Sequence, residues 1–154
     1  MARRKRIQYK GNSMASKSEV MFATACDSLK IPWKYETEAF YWDPLPAKPK
    51  RYTPDFVIPK KDGGKIYIEY KGYLRTPDKR KMIAMKQQHP ELDIRFVFES
   101  AKKPMTGAAI RKDGTRLTHG EWADKYGFPW CQWNPRGKFE LAACFPQEWR
   151  LEIA

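Results

Sequence analysis

Histidine is scarce in this 154-residue chain, with only two, and the three cysteines Cys26, Cys131 and Cys144 form no Cys-x-x-Cys spacing. Neither a structural zinc site nor a disulfide framework is expected, and the thiols read as reduced packing residues. His89 precedes Pro90 where a helix should end, and His119 stands just inside another helix start, so both read as capping or packing residues. No apolar run approaches the roughly 20 residues of a membrane span, and no amphipathic basic helix or lipidation signal is present, so a membrane is not an expected partner. The basic N-terminus is not followed by an apolar stretch, which does not read as a secretory signal, and an intracellular, cytoplasmic protein is expected. No internal repeat is visible.

Acidic residues are also few relative to basic ones. Eighteen Asp and Glu against thirty Lys and Arg leave a net charge of +12. The bases recur in blocks: Arg3 to Lys10, Lys48 to Arg51, Lys60 and Lys61, Arg75 to Lys86, and Lys102 to Arg116. Such a surface attracts a polyanion with steep salt dependence, and nucleic acid is the obvious partner. An aromatic content of 14% and this length fit one folded domain with a sizeable core.

Residues 1–15 mix basic, small and polar types without a period and are expected to form a flexible basic arm, ahead of a single domain over 16–154. Ser16 and Glu19 have capping-box spacing, and Phe22, Cys26 and Leu29 follow at helical spacing, which predicts a helix from Lys17 to Leu29 closed by Pro32. Trp33 to Trp42 alternates loosely and predicts a strand. Residues 43–50 contain Pro44, Pro46 and Pro49, which forbid regular pairing and stiffen a connector. That connector is either a surface loop or a bridge carrying the N-terminal segment to a second subunit.

Tyr52 to Ile58 and Lys65 to Lys71 predict two strands joined by a turn at Asp62-Gly63-Gly64, with Ile66, Ile68 and Tyr70 on the buried face. Thr76 is expected to cap a helix with Pro77 in first position, Met82, Met85 and His89 along one side, and Pro90 as its stop. Asp93 to Phe98 reads as an interior strand, parallel to the preceding one through a right-handed crossover. Beyond Ser100, Arg111 to Arg116 looks like a basic turn, and Thr118 and Glu121 open a short helix that Gly127 ends. Trp130, Trp133, Phe139, Phe145 and Trp149 are expected to complete the core.

The feature with most chemical content is Pro54-Asp55, followed fourteen residues later by Glu69-Tyr70-Lys71. Phosphodiester hydrolysis needs cations to neutralise transition-state charge, and carboxylate oxygens suit Mg²⁺. Asp55 and Glu69 would supply them. Lys71 lies two residues past Glu69, on the same strand face, where its amine could reach the scissile phosphate or the attacking water. The backbone carbonyl of Tyr70 is a further candidate ligand. The same pattern equally describes a solvated strand with a Glu and a Lys on its wet face.

Tyr52-Thr53-Pro54-Asp55-Phe56, Glu69-Tyr70-Lys71-Gly72, and Gln88 to Arg95 with Val97-Phe98 together resemble the phage endonuclease I family of junction-resolving enzymes. A weaker likeness continues through Gly120-Glu121-Trp122 and Pro146 to Trp149, so the resemblance covers roughly 16–150, apart from 101–118. It implies an α/β, restriction-endonuclease-like mixed sheet flanked by helices, in a domain-swapped homodimer. The implied activity is metal-dependent cleavage of four-way (Holliday) junctions and other branched double-stranded DNA by paired nicks, with Mg²⁺ or a substituting Mn²⁺. It places the catalytic residues on Glu19, Asp55, Glu69 and Lys71, with Glu19 completing a metal position beside Asp55, Glu69 and the Tyr70 carbonyl. The exchanged N-terminal segment would bring Glu19 of one chain to the other three residues of its partner, and a phage protein would work in the bacterial cytoplasm. Candidate DNA contacts are Arg3, Arg4, Lys5, Arg6, Arg75, Lys79, Arg80, Lys81, Lys102 and Lys103. The rivals are another nuclease of this fold, of restriction, repair or transposon-end type, and a non-catalytic basic nucleic-acid-binding protein.

Overall fold

A computed structural model of the chain describes residues 5–42 and 49–154. Arg3, Arg4 and most of the proline-rich connector lie outside the described residues. In chain order the elements are β1 (Ile7–Tyr9), β2 (Asn12–Met14), α1 (Lys17–Ser28), β3 (Lys34–Tyr35), β4 (Phe40–Trp42), β5 (Lys50–Tyr52), β6 (Phe56–Pro59), β7 (Lys65–Lys71), α2 (Thr76–Gln88), β8 (Asp93–Phe98), α3 (His119–Lys125), β9 (Trp130–Gln132), α4 (Leu141–Cys144) and α5 (Gln147–Glu152). Among the described residues, no helix is long and apolar enough to cross a membrane.

The central sheet is mixed, in the order β3-β6-β7-β8-β9, antiparallel from β3 to β7 and parallel from β7 to β9. Gly63, at φ +87, makes the tight turn of the β6–β7 hairpin, and Asp62 accepts the Gly64 N–H at 2.8 Å. The hairpin register sets Phe56 opposite Ile68, which brings the Asp55 end of β6 towards Glu69 and Tyr70.

Both sheet faces are covered, so β7 is buried over most of its length rather than alternating wet and dry. On one face Phe56, Ile58, Ile66, Ile68 and Tyr70 meet Phe22, Ala23 and Cys26 of α1, with Leu141, Phe145 and Trp149. Phe22 is the centre of that contact, with ring centroids 5.0 Å from Phe56, 5.7 Å from Tyr70 and 5.8 Å from Trp133. On the other face Val57, Tyr67, Ile94, Phe96 and Phe98 meet Met82 and Met85 of α2 and Trp122 and Ala123 of α3. The three thiols are free, Cys26 and Cys131 buried and Cys144 half-buried.

Several expectations need correction. Residues 7–14 form a hairpin, not a structureless arm, and Met14 is fully buried. The expected strand over Trp33 to Trp42 divides into β3 and β4, which join different sheets, and Glu36 between them takes a positive φ of +48. Tyr52 to Ile58 divides likewise, because Tyr52 pairs with Phe40 in a separate ribbon and Pro54 has no N–H to continue a ladder. The N-cap of α2 is Arg75, whose N–H donates to Asp78 at 3.1 Å, so Thr76 is already helical and Pro77 comes second. Phe139 is 72% exposed and Trp130 only half-buried, whereas Trp133, Phe145 and Trp149 do enter the core.

Candidate active site

Asp55 stands immediately before β6, past the end of its pairing with β7. Its Oδ2 accepts the Tyr70 N–H at 2.8 Å. A strand residue turns its N–H and C=O to the same neighbour, so the Tyr70 carbonyl also faces the Asp55 edge. The Tyr70 side chain goes the other way, into the α1 face, and its hydroxyl donates to Glu99 at 2.9 Å. Glu69 and Lys71 project from the opposite face of β7. Glu69 is 3% exposed, with Oε1 3.2 Å from Lys71 Nζ and Oε2 accepting the Tyr52 hydroxyl at 2.8 Å. Lys71 also lies 3.8 Å from Asp78 in the first turn of α2.

Glu19 reaches the same region from α1. Ser16 Oγ accepts the Glu19 N–H at 3.1 Å, as the capping spacing requires, while Glu19 Oε2 accepts from the Ala15 N–H at 3.1 Å and from the Tyr35 hydroxyl at 2.5 Å. Glu19 touches none of the other three site residues directly but raises the carboxyl of Asp55 through its charge. Within this single chain, α1 packs on the sheet that carries Asp55 and Glu69.

The electrostatics are those of a site short of positive charge. Burial, then the charges of Glu69 and Glu19, push the Asp55 carboxyl well above the usual carboxylate range, against the pull of Lys71 and the Tyr70 N–H. Burial pulls the Lys71 ammonium down, but Glu69, Asp78 and Asp55 outweigh it, and its net shift is upward. Lys71 is therefore a fixed cation rather than a proton acceptor at neutral pH. Among the described residues, no three Asp, Glu, His or Cys side chains form a ready-made metal cage. The donor set still fits Mg²⁺, which takes one or two carboxylates and keeps waters or substrate phosphates as its remaining ligands. Asp55, Glu69 and the Tyr70 carbonyl would supply those contacts, and a cation would relieve the pressure on Asp55.

The candidate DNA-contacting residues fall into two groups. Lys5 is exposed, but Arg6 is committed to Glu36 at 2.7 Å and to the Ser13 carbonyl at 2.6 Å. Arg75, Lys79, Lys102 and Lys103 gather where β7 leaves the sheet. There Lys79 donates to the Thr106 carbonyl at 3.0 Å, and Lys103 Nζ lies 4.7 Å from the Tyr73 ring centroid. Arg80 is exposed on α2, and Lys81 sits over the Tyr52 ring at 5.4 Å. His119 ties the group together: its Nε2 accepts the Leu74 N–H at 3.0 Å and its Nδ1 donates to the Lys103 carbonyl at 2.7 Å. Burial lowers the pKa of this imidazole, which keeps its acceptor nitrogen available.

Sequence reasoning missed Tyr35, Tyr52 and Asp78 as partners of the site residues. Tyr52 had a signal, since it stands three residues before Asp55 in the same motif. Tyr35 and Asp78 had none. A cleft of about 510 Å³ between α1 and residues 133–142 contains none of the four site residues.

A family model described as Phage endonuclease I matches residues 1–134. Over 83 residues, the chain is 37% identical to the endodeoxyribonuclease 1 of Enterobacteria phage T3, covering 54% of this chain and 48% of that one. It is 36% identical over 83 residues to the endonuclease I of Escherichia phage T7, covering 54% and 49%. The chain thus spans about half the length of these curated relatives. A repair endonuclease from Pyrococcus abyssi aligns in structure at a TM-score of 0.39 and 16% identity, covering 80% of this chain and 50% of that one.

Proposed function

The chain belongs to the phage endonuclease I family, and on that premise we propose that it is a structure-selective endodeoxyribonuclease that resolves four-way and other branched DNA by metal-dependent phosphodiester hydrolysis. The observation that carries this reading is the meeting of Asp55, Glu69 and Lys71 at the C-terminal end of the central strand β7, with Glu69 and Lys71 3.2 Å apart and Asp55 bound to the intervening Tyr70 N–H at 2.8 Å.

Asp55 and Glu69 would hold Mg²⁺ or Mn²⁺ with the Tyr70 carbonyl, and Glu19 would complete a second position. When bound, the ion would neutralise charge on the phosphate and lower the pKa of the attacking water. Lys71, held protonated by its three carboxylate neighbours, would stabilise charge on the phosphate or orient the water. Arg75, Lys79, Lys102 and Lys103 lie where β7 delivers Lys71 and would grip phosphates along the DNA arms. Phosphate contacts position a protein without reading bases, so selectivity would come from junction shape.

Paired nicks would follow from a homodimer with two such sites in a restriction-endonuclease-like fold. An exchange of N-terminal segments across residues 43–50 would make each site composite. The test compares cleavage of a four-way junction with that of a linear duplex built from the same arms, in Mg²⁺ and in a chelator. Faster, Mg²⁺-dependent junction cleavage is expected, and equal rates on the two substrates would leave only a general nuclease of this fold.

A further inference from the structure

We propose that Tyr52 and Tyr35 are positioning residues, each holding one site glutamate through the hydroxyl of a buried phenol. Tyr52 is 1% exposed, and its hydroxyl donates to Glu69 Oε2 at 2.8 Å while Lys71 faces Oε1 at 3.2 Å. Both oxygens of Glu69 therefore have fixed partners.

Tyr35 repeats the device on the other glutamate. It is 7% exposed, accepts the Ala15 N–H at 3.0 Å and donates to Glu19 Oε2 at 2.5 Å. The Ala15 N–H also reaches Glu19 Oε2, at 3.1 Å, so the other oxygen is the one available to the site. Asp55 completes the pattern, since its Oδ2 is held by the Tyr70 N–H. All three carboxylates thus receive a neutral donor. A neutral donor fixes an oxygen without adding positive charge that would compete with a divalent cation.

The chain positions of the pairs are also telling. Tyr35 and Glu19 both precede residues 43–48, and Tyr52 and Glu69 both follow them. An exchange of N-terminal segments between subunits would carry each glutamate together with its phenol, so each carboxylate would arrive already oriented.

The inference rests on the nuclease reading above for its cleavage readout, but metal binding tests it separately. Tyr52→Phe and Tyr35→Phe each remove one oxygen and keep the ring. Tyr67→Phe is the control, because this buried tyrosine contacts Glu38 at 3.3 Å and none of the site residues. Mn²⁺ affinity of the free protein would be measured by calorimetry, beside the Mn²⁺ concentration for half-maximal junction cleavage, metal-free junction binding and thermal denaturation. Tyr52→Phe is expected to weaken Mn²⁺ binding and raise the half-maximal concentration about 10- to 100-fold. Tyr35→Phe should change both in the same direction, with junction binding near wild type and Tyr67→Phe unchanged. Should Tyr52→Phe lose thermal stability, the same change made on Glu69→Gln decides: no further loss of Mn²⁺ affinity supports the coupling, and an additive loss overturns it. Wild-type Mn²⁺ affinity in both phenol variants would overturn the inference. Absence of cleavage by the wild type in Mg²⁺ and Mn²⁺ would instead overturn the nuclease reading, with calorimetry still deciding the role of the phenols.

Discussion

Ionising Asp55 without a counter-cation costs the fold stability, because burial and the charges of Glu69 and Glu19 all oppose it. Asp55→Asn keeps an oxygen to accept the Tyr70 N–H and removes the charge. It should therefore raise the metal-free melting temperature, by about 2–4 °C for each kcal/mol recovered, while abolishing cleavage; a calorimetric scan in chelator checks the first outcome. Added Mg²⁺ should raise the melting temperature of the wild type and leave Asp55→Asn unmoved. Lys71→Ala should lower the single-turnover cleavage rate by about a hundred- to a thousandfold with junction binding retained. At this scale Asp55, Glu69 and Lys71 were legible in the sequence because the chemistry demands those types at strand spacing. Tyr52 stood in the Asp55 motif, but neither tyrosine could be matched to its glutamate, because their hydroxyls reach glutamates 16 and 17 residues away along the chain, and only the fold closes those distances.

The element that delivers Glu19 is held by one aromatic contact set. Phe22→Ala empties the space between Phe56, Tyr70 and Trp133 and should cost about 3–5 kcal/mol by chemical denaturation, loosening α1 and lowering cleavage without touching a site residue. On the same face of the sheet, over the Trp149 ring, Arg95 is clamped between Asp93 and Glu152 at 2.7 Å each. Burial raises the Asp93 carboxyl, but Arg95 and then Lys60 outweigh it and hold it below the ordinary range. Stability from this group is complete above the unfolded value near 4 and is lost as pH falls through the lowered folded value. Arg95→Ala should flatten that acid limb and cost, at neutral pH, the lower end of the roughly 3–5 kcal/mol typical of a broken buried pair, since Asp93 and Glu152 keep 27% and 36% side-chain exposure. The β6–β7 hairpin, α2 and β8 were legible from Asp62-Gly63-Gly64, Pro77 and Pro90. The hairpin of β1 and β2 was not, because its two-residue turn is Lys10-Gly11, with both φ values positive, rather than the Asn-Gly or Asp-Gly that marks such turns.

For the molecule as a whole, a net charge of +12 sets how DNA binding responds to salt. If six to ten phosphates are contacted, affinity for a junction should fall about 10³- to 10⁵-fold between 50 and 200 mM salt, as a fluorescence titration would show. Composite sites make a sharper demand. Refolding Glu19→Ala chains together with Lys71→Ala chains should restore one working site per heterodimer and raise cleavage far above either variant alone; a mixture no faster than the variants would argue for sites built within one chain. The net positive charge was legible from composition, whereas the packing of Met14, Phe22 and Tyr35 on the sheet of their own chain needed the fold. The most direct measurement is the single-turnover cleavage rate of a preformed four-way junction by the wild type and Glu69→Ala, in Mg²⁺ and in chelator. Mg²⁺-dependent cleavage that Glu69→Ala abolishes while still binding the junction is the expected result, and equal cleavage by the two proteins would contradict a catalytic role for the carboxylates at the C-terminal end of β7.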